Sequence, residues 1–166
     1  MKRLLAVWGV ILPSLFIVGC ETDYRTGMIS EAAGMIDICA AKVDTIREKV
    51  AAAVAVSESK KTMIDLSDAI EALSALKEAG KEAQKLKKTV DLVRHEVSED
   101  DRKRYAEKER VMLSNACQNF LTKRNELNKE LERAESINKE NRVPVAEFRR
   151  KLVAAESEFE AIARQQ

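Results

Sequence analysis

The sequence predicts an all-α fold: an elongated up-down antiparallel helical bundle of three long helices and a shorter fourth, with coiled-coil-like heptads. Charged residues make up 34% of the chain, and with abundant Ala, Leu, Glu and Lys this composition is typical of long helices. Only three glycines and one proline follow Gly19, so the chain has few places to turn. No stretch has the residue pattern of a strand.

The first helix is predicted from a strict heptad pattern. Apolar residues from Ile29 to Ala53 alternate steps of three and four over more than three heptads. This is the spacing of a seam between packed helices, and it includes Cys39. We therefore expect a helix near residues 26–54 with one continuous buried face.

The second helix is predicted from a looser apolar series, from Met63 to Val97, with a mean spacing of about 3.5 residues. Residues 54–61 interrupt the apolar pattern before it. Ser57 or Thr62 can accept hydrogen bonds from the amides that open a helix. These signals predict a turn and then a helix near residues 60–97.

The third helix is the most highly charged. Its apolar series from Val111 to Ile137 is interrupted by Arg124, and residues 100–110 are strongly charged. We expect a helix near residues 99–140 whose beginning is more exposed than its middle, because an apolar stripe is what buries a helix face. Ser98 and the acidic residues after it approximate an N-terminal capping box.

A short fourth helix is predicted after Pro144. The residue before a proline avoids the helical conformation, and proline suits a first turn, so the third helix should end within residues 141–144. A regular apolar series from Val145 to Ile162 then predicts a helix near residues 144–165. The short breaks favour a bundle within one chain over a coiled coil between chains.

The first nineteen residues have the features of a secretion signal. Lys2 and Arg3 give a basic start, and an uncharged apolar run of fifteen residues follows from Leu4 to Val18. These are the n-region and h-region of a signal peptide. With Pro13 in it, the run falls short of the ~20 residues that a transmembrane helix needs. We therefore expect residues 1–19 to be removed.

The end of this segment, Ile17-Val18-Gly19-Cys20, resembles the lipobox of bacterial lipoproteins. The resemblance covers only the first twenty residues, and no family is identified for the rest. It implies cleavage between Gly19 and Cys20 and lipidation of the Cys20 thiol. We therefore expect a lipidated tether at residues 20–25, and the heptad pattern predicts a bundle domain at residues 26–166. Each buried CH₂ of such a lipid contributes ~0.8 kcal/mol to membrane anchoring.

The residue after the lipobox bears on the membrane that is reached. In Gram-negative bacteria that sort lipoproteins by this position, an Asp often retains the protein at the inner membrane. Glu21 does not match that signal. The resemblance therefore favours the periplasmic face of the outer membrane, while a Gram-positive cell surface stays open.

Two cysteines of the predicted bundle indicate a disulfide. Helices one and three of an up-down bundle are parallel, and Cys39 and Cys117 then fall within about one helical turn of the same level. Both lie on apolar faces. In an oxidising envelope such thiols usually pair. The alternative is two buried thiols that act as small apolar side chains.

Charge and motif content argue against several functions. Without Lys2 and Arg3, the residues from Cys20 onward carry 27 basic and 28 acidic side chains, a net charge of −1. That balance does not suit a nucleic-acid partner. His95 is the only histidine, and no metal-binding motif, phosphate loop or nucleophile elbow occurs. We therefore expect no catalytic residue, no metal, no cofactor and no small-molecule substrate, and hence no enzyme.

The expected function is that of a non-catalytic envelope lipoprotein whose bundle binds another envelope protein or acts as a structural module. The polar interruptions at residues 100–110 and around Arg124 are candidate partner surfaces. Alternatives are a pilotin-like or chaperone-like lipoprotein that escorts an envelope client, and a phage- or plasmid-borne exclusion or immunity lipoprotein. A murein-linked spacer is disfavoured, because the sequence ends at Gln165-Gln166 without a terminal lysine.

Overall fold

The structure is a computed structural model that describes the backbone of residues 12–94 and 99–163, and side chains mainly within residues 30–86 and 111–157. Four α-helices and one 3₁₀ turn make up the fold: α1 Leu12–Lys60, α2 Ser67–Arg94, α3 Glu99–Ile137, the 3₁₀ turn Lys139–Asn141 and α4 Arg142–Ala163. The described residues contain no strand. The predicted all-α helical bundle is confirmed.

The helices run alternately up and down. α1 packs on α3 and on α2, and α4 packs chiefly on α2. α1 and α3 are parallel, since Asp37 meets Asn119 and, further along both helices, Glu58 meets Arg133. α3 and α4 run in opposite directions, since Arg124 meets Glu156 and Glu135 meets Arg149. All four helices contribute residues to one core.

The predicted apolar series form that core. Its largest fully buried apolar side chains are Ile36, Val43, Ile46, Val50, Val54, Leu76, Phe120, Leu127, Leu131 and Phe148. Val111 is 52% exposed, whereas Leu127 and Leu131 are fully buried. The predicted exposure of the start of α3 concerns residues 100–110, whose side chains lie largely outside the described residues.

The turn between α1 and α2 lies later in the chain than predicted. α1 ends at Lys60, because Lys61 has a φ of 52°, the left-handed conformation that commonly follows a helix end. α2 begins only at Ser67. Residues 61–66 therefore form a loop, and Met63 is 59% exposed in that loop instead of lying in the apolar seam.

Leu66 is the N-cap residue of α2, because its carbonyl accepts from the Ile70 amide at 2.9 Å, and the Asp65 side chain caps the first turn. The prediction of Ser57 or Thr62 as the N-cap was wrong. The Ser67 backbone amide donates a hydrogen bond to Asp65 Oδ1 at 3.0 Å, which satisfies one of the free amides of the first turn. Ser57 lies inside α1, and its hydroxyl donates to the Thr62 carbonyl at 2.6 Å. Both predicted capping residues therefore close the end of α1.

The turn between α3 and α4 lies close to its predicted place. α3 ends at Ile137, and Asn138 adopts an extended conformation whose side chain accepts a hydrogen bond from the Glu140 amide at 3.0 Å. Pro144 lies in the first turn of α4, where its missing amide leaves no broken helical hydrogen bond.

α1 begins earlier than predicted. It starts at Leu12 and continues through residues 20–25, the segment expected to be a tether. No glycine or proline lies between Cys20 and Thr26 to stop a helix there. Within the described part of the chain, no helix has the length and apolar character needed to cross a membrane.

The contacts between α1 and α3 show which residues lie at each end of the bundle. Cys20 lies 17 residues before Asp37, and α3 begins 20 residues before Asn119. Asp37 and Asn119 lie at the same height along the bundle. Cys20 lies ~26 Å from that height along α1, and the start of α3 lies ~30 Å from it in the same direction. The opposite end, called the turn end here, consists of residues 57–71 and 137–147.

Candidate functional site

The predicted lipidation and cleavage residues lie in the first half of α1. The backbone of Gly19 and Cys20 is helical, and their side chains lie outside the described residues. His95 is also outside them. The lipobox prediction therefore rests on the sequence alone.

The two bundle cysteines are buried thiols on facing helices. Cys39 is fully buried and Cys117 is 7% exposed, and no disulfide joins these two described residues. Burial raises the pKa of Cys39 to about 11, so this thiol is protonated at neutral pH.

The contacts between α1 and α3 fix the relative height of the two cysteines. If Asp37 and Asn119, which are hydrogen-bonded at 2.9 Å, are taken to lie at the same height, then Cys39 and Cys117 differ in height by four residues. If the Asp44–Lys123 ion pair of 3.5 Å is used instead, the difference is one residue. These offsets correspond to ~6 and ~1.5 Å along the helix axes. Along the helix axes, the two thiols therefore lie within about one helical turn of each other.

Arg124, a candidate partner residue in the sequence, is engaged inside the bundle. Its Nε lies 2.9 Å from Oε2 of Glu156 on α4, and this glutamate is fully buried. A buried carboxylate needs such a charged partner, because removal from water disfavours the ionised form. The Arg124 side chain thus bridges α3 and α4. Residues 100–110 are the other partner surface that the sequence predicts.

The side chains of residues 100–110 are largely outside the described part of the chain. Glu107 is described there and is exposed. The structure therefore neither assigns nor removes a partner surface along this stretch of α3.

A buried asparagine holds the two loops of the turn end together. Asn141 is fully buried. Its Oδ1 accepts a hydrogen bond from the Ile64 amide at 2.9 Å, and its Nδ2 donates to the Ala134 carbonyl at 2.9 Å. Nδ2 also lies 3.5 Å from Ser57 Oγ. This residue therefore fixes the α1–α2 loop against the end of α3.

A cleft of about 430 Å³ opens beside this asparagine, between the α1–α2 loop, the start of α2 and the start of α4. We call it the α2–α4 cleft. Its apolar lining comes from Ile64, Leu66, Ile70 and Pro144, and its acidic lining from Asp65, Glu71 and Glu147.

Two exposed apolar residues flank the cleft along the chain. Met63 precedes Ile64 and is 59% exposed, and Val143 precedes Pro144 and is 75% exposed. Single exposed apolar residues are ordinary, whereas a group beside a cleft marks a candidate interaction site. The arrangement can receive an apolar side chain.

The acidic side chains of the cleft are exposed. Hydrogen bonds from the Ser67 hydroxyl and amide lower the pKa of Asp65. A hydrogen bond from Lys151, 2.9 Å away, lowers the pKa of Glu147. The cleft therefore combines an apolar lining with a negative rim.

A second cleft, of about 510 Å³, also lies at the turn end. Ser57, Glu58, Lys61, Thr62, Ile137 and Asn138 line it. Glu58 is engaged by Arg133 at 2.7 Å, and most of the other polar groups close helix ends. This cleft follows from the loop geometry and holds no distinctive chemistry.

Sequence reasoning missed Asn141 and Glu156 as buried residues. For Glu156 a signal existed: it follows buried Leu152 by four positions on α4, as Arg124 follows buried Phe120 by four positions on α3. Residues four apart share a helix face, so both charges fall on apolar faces. Asn141 stands in a turn and gives no such signal.

The remaining chemistry of the described residues is sparse. No group of three or more His, Cys, Asp and Glu side chains among them is arranged to hold a metal ion. No family model matches the chain, and no curated protein or solved structure matches it either. The functional argument therefore rests on this chain's own residues.

Proposed function

We propose that the protein is a membrane-anchored lipoprotein of the bacterial cell envelope, whose helical bundle acts without catalysis as a protein-binding or structural module. The observation that carries this proposal is the lipobox-like Ile17–Cys20 after a basic start and an apolar run. The thiol at Cys20 would be the site of attachment.

The arrangement of the bundle supports a binding or structural role. The buried polar residues of the described part are Ser57, Asn141 and Glu156, and each contacts other groups inside the bundle. They are used for packing between helices. Ser57 lies 37 residues after Cys20 on one continuous helix, so the turn end lies ~55 Å from the proposed lipid.

The test is a comparison of the full chain with Cys20→Ala in a bacterial host. We expect the wild-type protein to start at Cys20, to carry the added mass of acyl chains and to sediment with membranes. Cys20→Ala should keep its signal and gain no acyl mass. Cys39→Ala is the matched control, and it should be processed like wild type. A cleaved, unacylated wild-type N-terminus would contradict the proposal.

The proposed address is the periplasmic face of the outer membrane in a Gram-negative host. Density-gradient separation of the two membranes tests it. Wild type should band with the outer membrane, and Glu21→Asp should move toward the inner membrane in a host that sorts by this position. An unchanged distribution of this variant, or wild type at the inner membrane, would contradict the address.

A Cys39–Cys117 disulfide is proposed for the protein in an oxidising envelope. The register of α1 and α3 supports it, because the thiols lie within about one turn. Protein from the envelope should show no thiol labelling after unfolding without reductant, and two labels after reduction. Labelling of Cys39 and Cys117 before reduction would contradict it.

A client-escorting role is the second candidate function, and the exposed Val143 and Met63 beside the α2–α4 cleft favour it. An escort would bind the unfolded client and release the folded one. A stable complex with a folded envelope protein would instead favour the first candidate.

A further inference from the structure

We propose that the α2–α4 cleft docks a protein segment in which an apolar side chain is flanked by lysine or arginine. This rests on the proposed function, because it names the kind of segment through which an envelope partner would bind. The cleft lies at the turn end, opposite Cys20 and therefore directed away from the proposed lipid.

Exposed apolar residues adjoin the lining of the cleft along the chain. Val143 is 75% exposed in the first turn of α4. An acidic residue would be favoured at that place, since the N-terminus of a helix carries partial positive charge. Met63, which precedes the cleft-lining Ile64 in the sequence, is 59% exposed, so exposed apolar residues adjoin the lining along the chain at two places. An apolar side chain of the partner would cover them.

The charge of the rim selects the flanking residues of the partner. Asp65, Glu71 and Glu147 carry three negative charges, and two cations act on Glu147: Lys151, 2.9 Å away, and Arg150. Among the described residues, no cation lies within ion-pair distance of Asp65 or Glu71. The rim thus keeps a net negative charge on a chain whose formal net charge is +1. Cations are attracted there, and phosphates are repelled.

The size of the cleft limits how much of the partner enters. At about 430 Å³, it falls at the lower end of ordinary ligand pockets, about 300–1,000 Å³. One or two apolar side chains fill such a space. Lysine or arginine beside them would then face the acidic rim, which steers association and sets specificity.

Photocrosslinking in cells tests the proposal with the full chain. Val143→p-benzoylphenylalanine places the probe at the border of the cleft, and Glu132→p-benzoylphenylalanine places it on an exposed part of α3 as control. We expect position 143 to capture a protein segment that has lysine or arginine beside an apolar residue. Position 132 should not capture that segment.

Charge reversal tests the role of the rim. Glu71→Lys in the position-143 background should lower the crosslink yield about fivefold or more, since like charges oppose association. Glu132→Lys, the same change on an exposed site of α3, should leave the yield within about twofold. A yield that falls equally in both variants would overturn the proposal.

Several crosslinking results at position 143 would contradict the proposal. Capture of lipid alone, of a second copy of this chain, of an acidic segment, or of nothing at position 143 would overturn the proposal. Acylation of Cys20, measured in the same cells, separates the two hypotheses. An acylated protein without the crosslink contradicts the cleft and leaves the anchor standing, and the reverse result contradicts the anchor.

Discussion

The contact of α3 with α1 differs in kind from its contact with α4. Toward α1, α3 buries a regular series of apolar side chains, and the charges of Asp44 and Lys123 lie at the border. Toward α4, the described contacts include long polar bridges: Arg124 to Glu156, and Arg149 to Glu135 at 3.4 Å. α3 is therefore held partly by close apolar packing and partly by polar side chains that bridge to α4.

This difference shows what the two kinds of contact require. An apolar seam needs only the right spacing of Val, Ile, Leu and Phe, and tolerates exchange among them. A buried ion pair needs one particular partner on the opposite helix, because a lone charge is costly to bury. The predictions below measure the two kinds of contact separately.

The largest effect is expected on the apolar side. Phe120→Ala removes a side chain that is 2% exposed, and should lower the free energy of unfolding by about 3–5 kcal/mol, because it leaves a cavity. Leu121→Ala is the matched control: Leu121 is the next residue along α3 and is 42% exposed. Its effect should stay near or below about 1 kcal/mol. Urea unfolding followed by circular dichroism measures both, and equal losses would contradict the assignment of the buried face.

The polar side should show a smaller loss that is conditional on its partner. Arg124→Met leaves the buried Glu156 without its guanidinium, and should cost roughly 2–4 kcal/mol. Adding Glu156→Leu should recover most of that loss, since the pair is then replaced by apolar residues of similar size. If the double variant is as unstable as the sum of the single variants, the two residues do not form a coupled pair.

The sequence predicted the apolar side of α3 well and the polar side poorly. Heptad spacing located the buried Phe120, Leu127 and Leu131, because burial on one face of a helix leaves a period in the sequence. It took Arg124 as an exposed interruption, although the arginine pairs with Glu156. A pair of opposite charges on two helices leaves no period, so only the structure connects them.

The same limit applied to the ends of helices. α1 ends where Lys61 adopts a left-handed backbone conformation. No local sequence motif predicts the end of a helix at that residue. The cleft beside Asn141 was equally hidden, because it arises where two loops meet that are distant in sequence. The lipobox residues, by contrast, form a local motif, which is why the sequence could propose Cys20.

The turn that joins α3 to α4 is held by neutral hydrogen bonds, which provides a third kind of contact for comparison. Asn141→Ala removes the acceptor of the buried Ile64 amide, and should cost about 1–3 kcal/mol, the penalty of an unsatisfied buried group. Asn125→Ala, at an exposed position of α3, should have little effect. Faster amide exchange at Ile64 in Asn141→Ala would place the damage in the α1–α2 loop, and unchanged exchange there would contradict the assigned role.

The smallest effect is expected at the charged border of the α1–α3 contact. A hydrogen bond from Arg47, at 2.8 Å, lowers the pKa of Asp44. Because the folded-state pKa lies below the unfolded value of about 3.9, the stabilising contribution of Asp44 is present above that pH and is lost as the pH falls through the folded-state pKa. Asp44→Asn should therefore cost about 0.2–1 kcal/mol at pH 7. The cost should shrink toward pH 2 and in 1 M salt, whereas the cost of Phe120→Ala should persist under both conditions. A cost of Asp44→Asn that is independent of pH and salt would mean that this border is held by packing and not by charge.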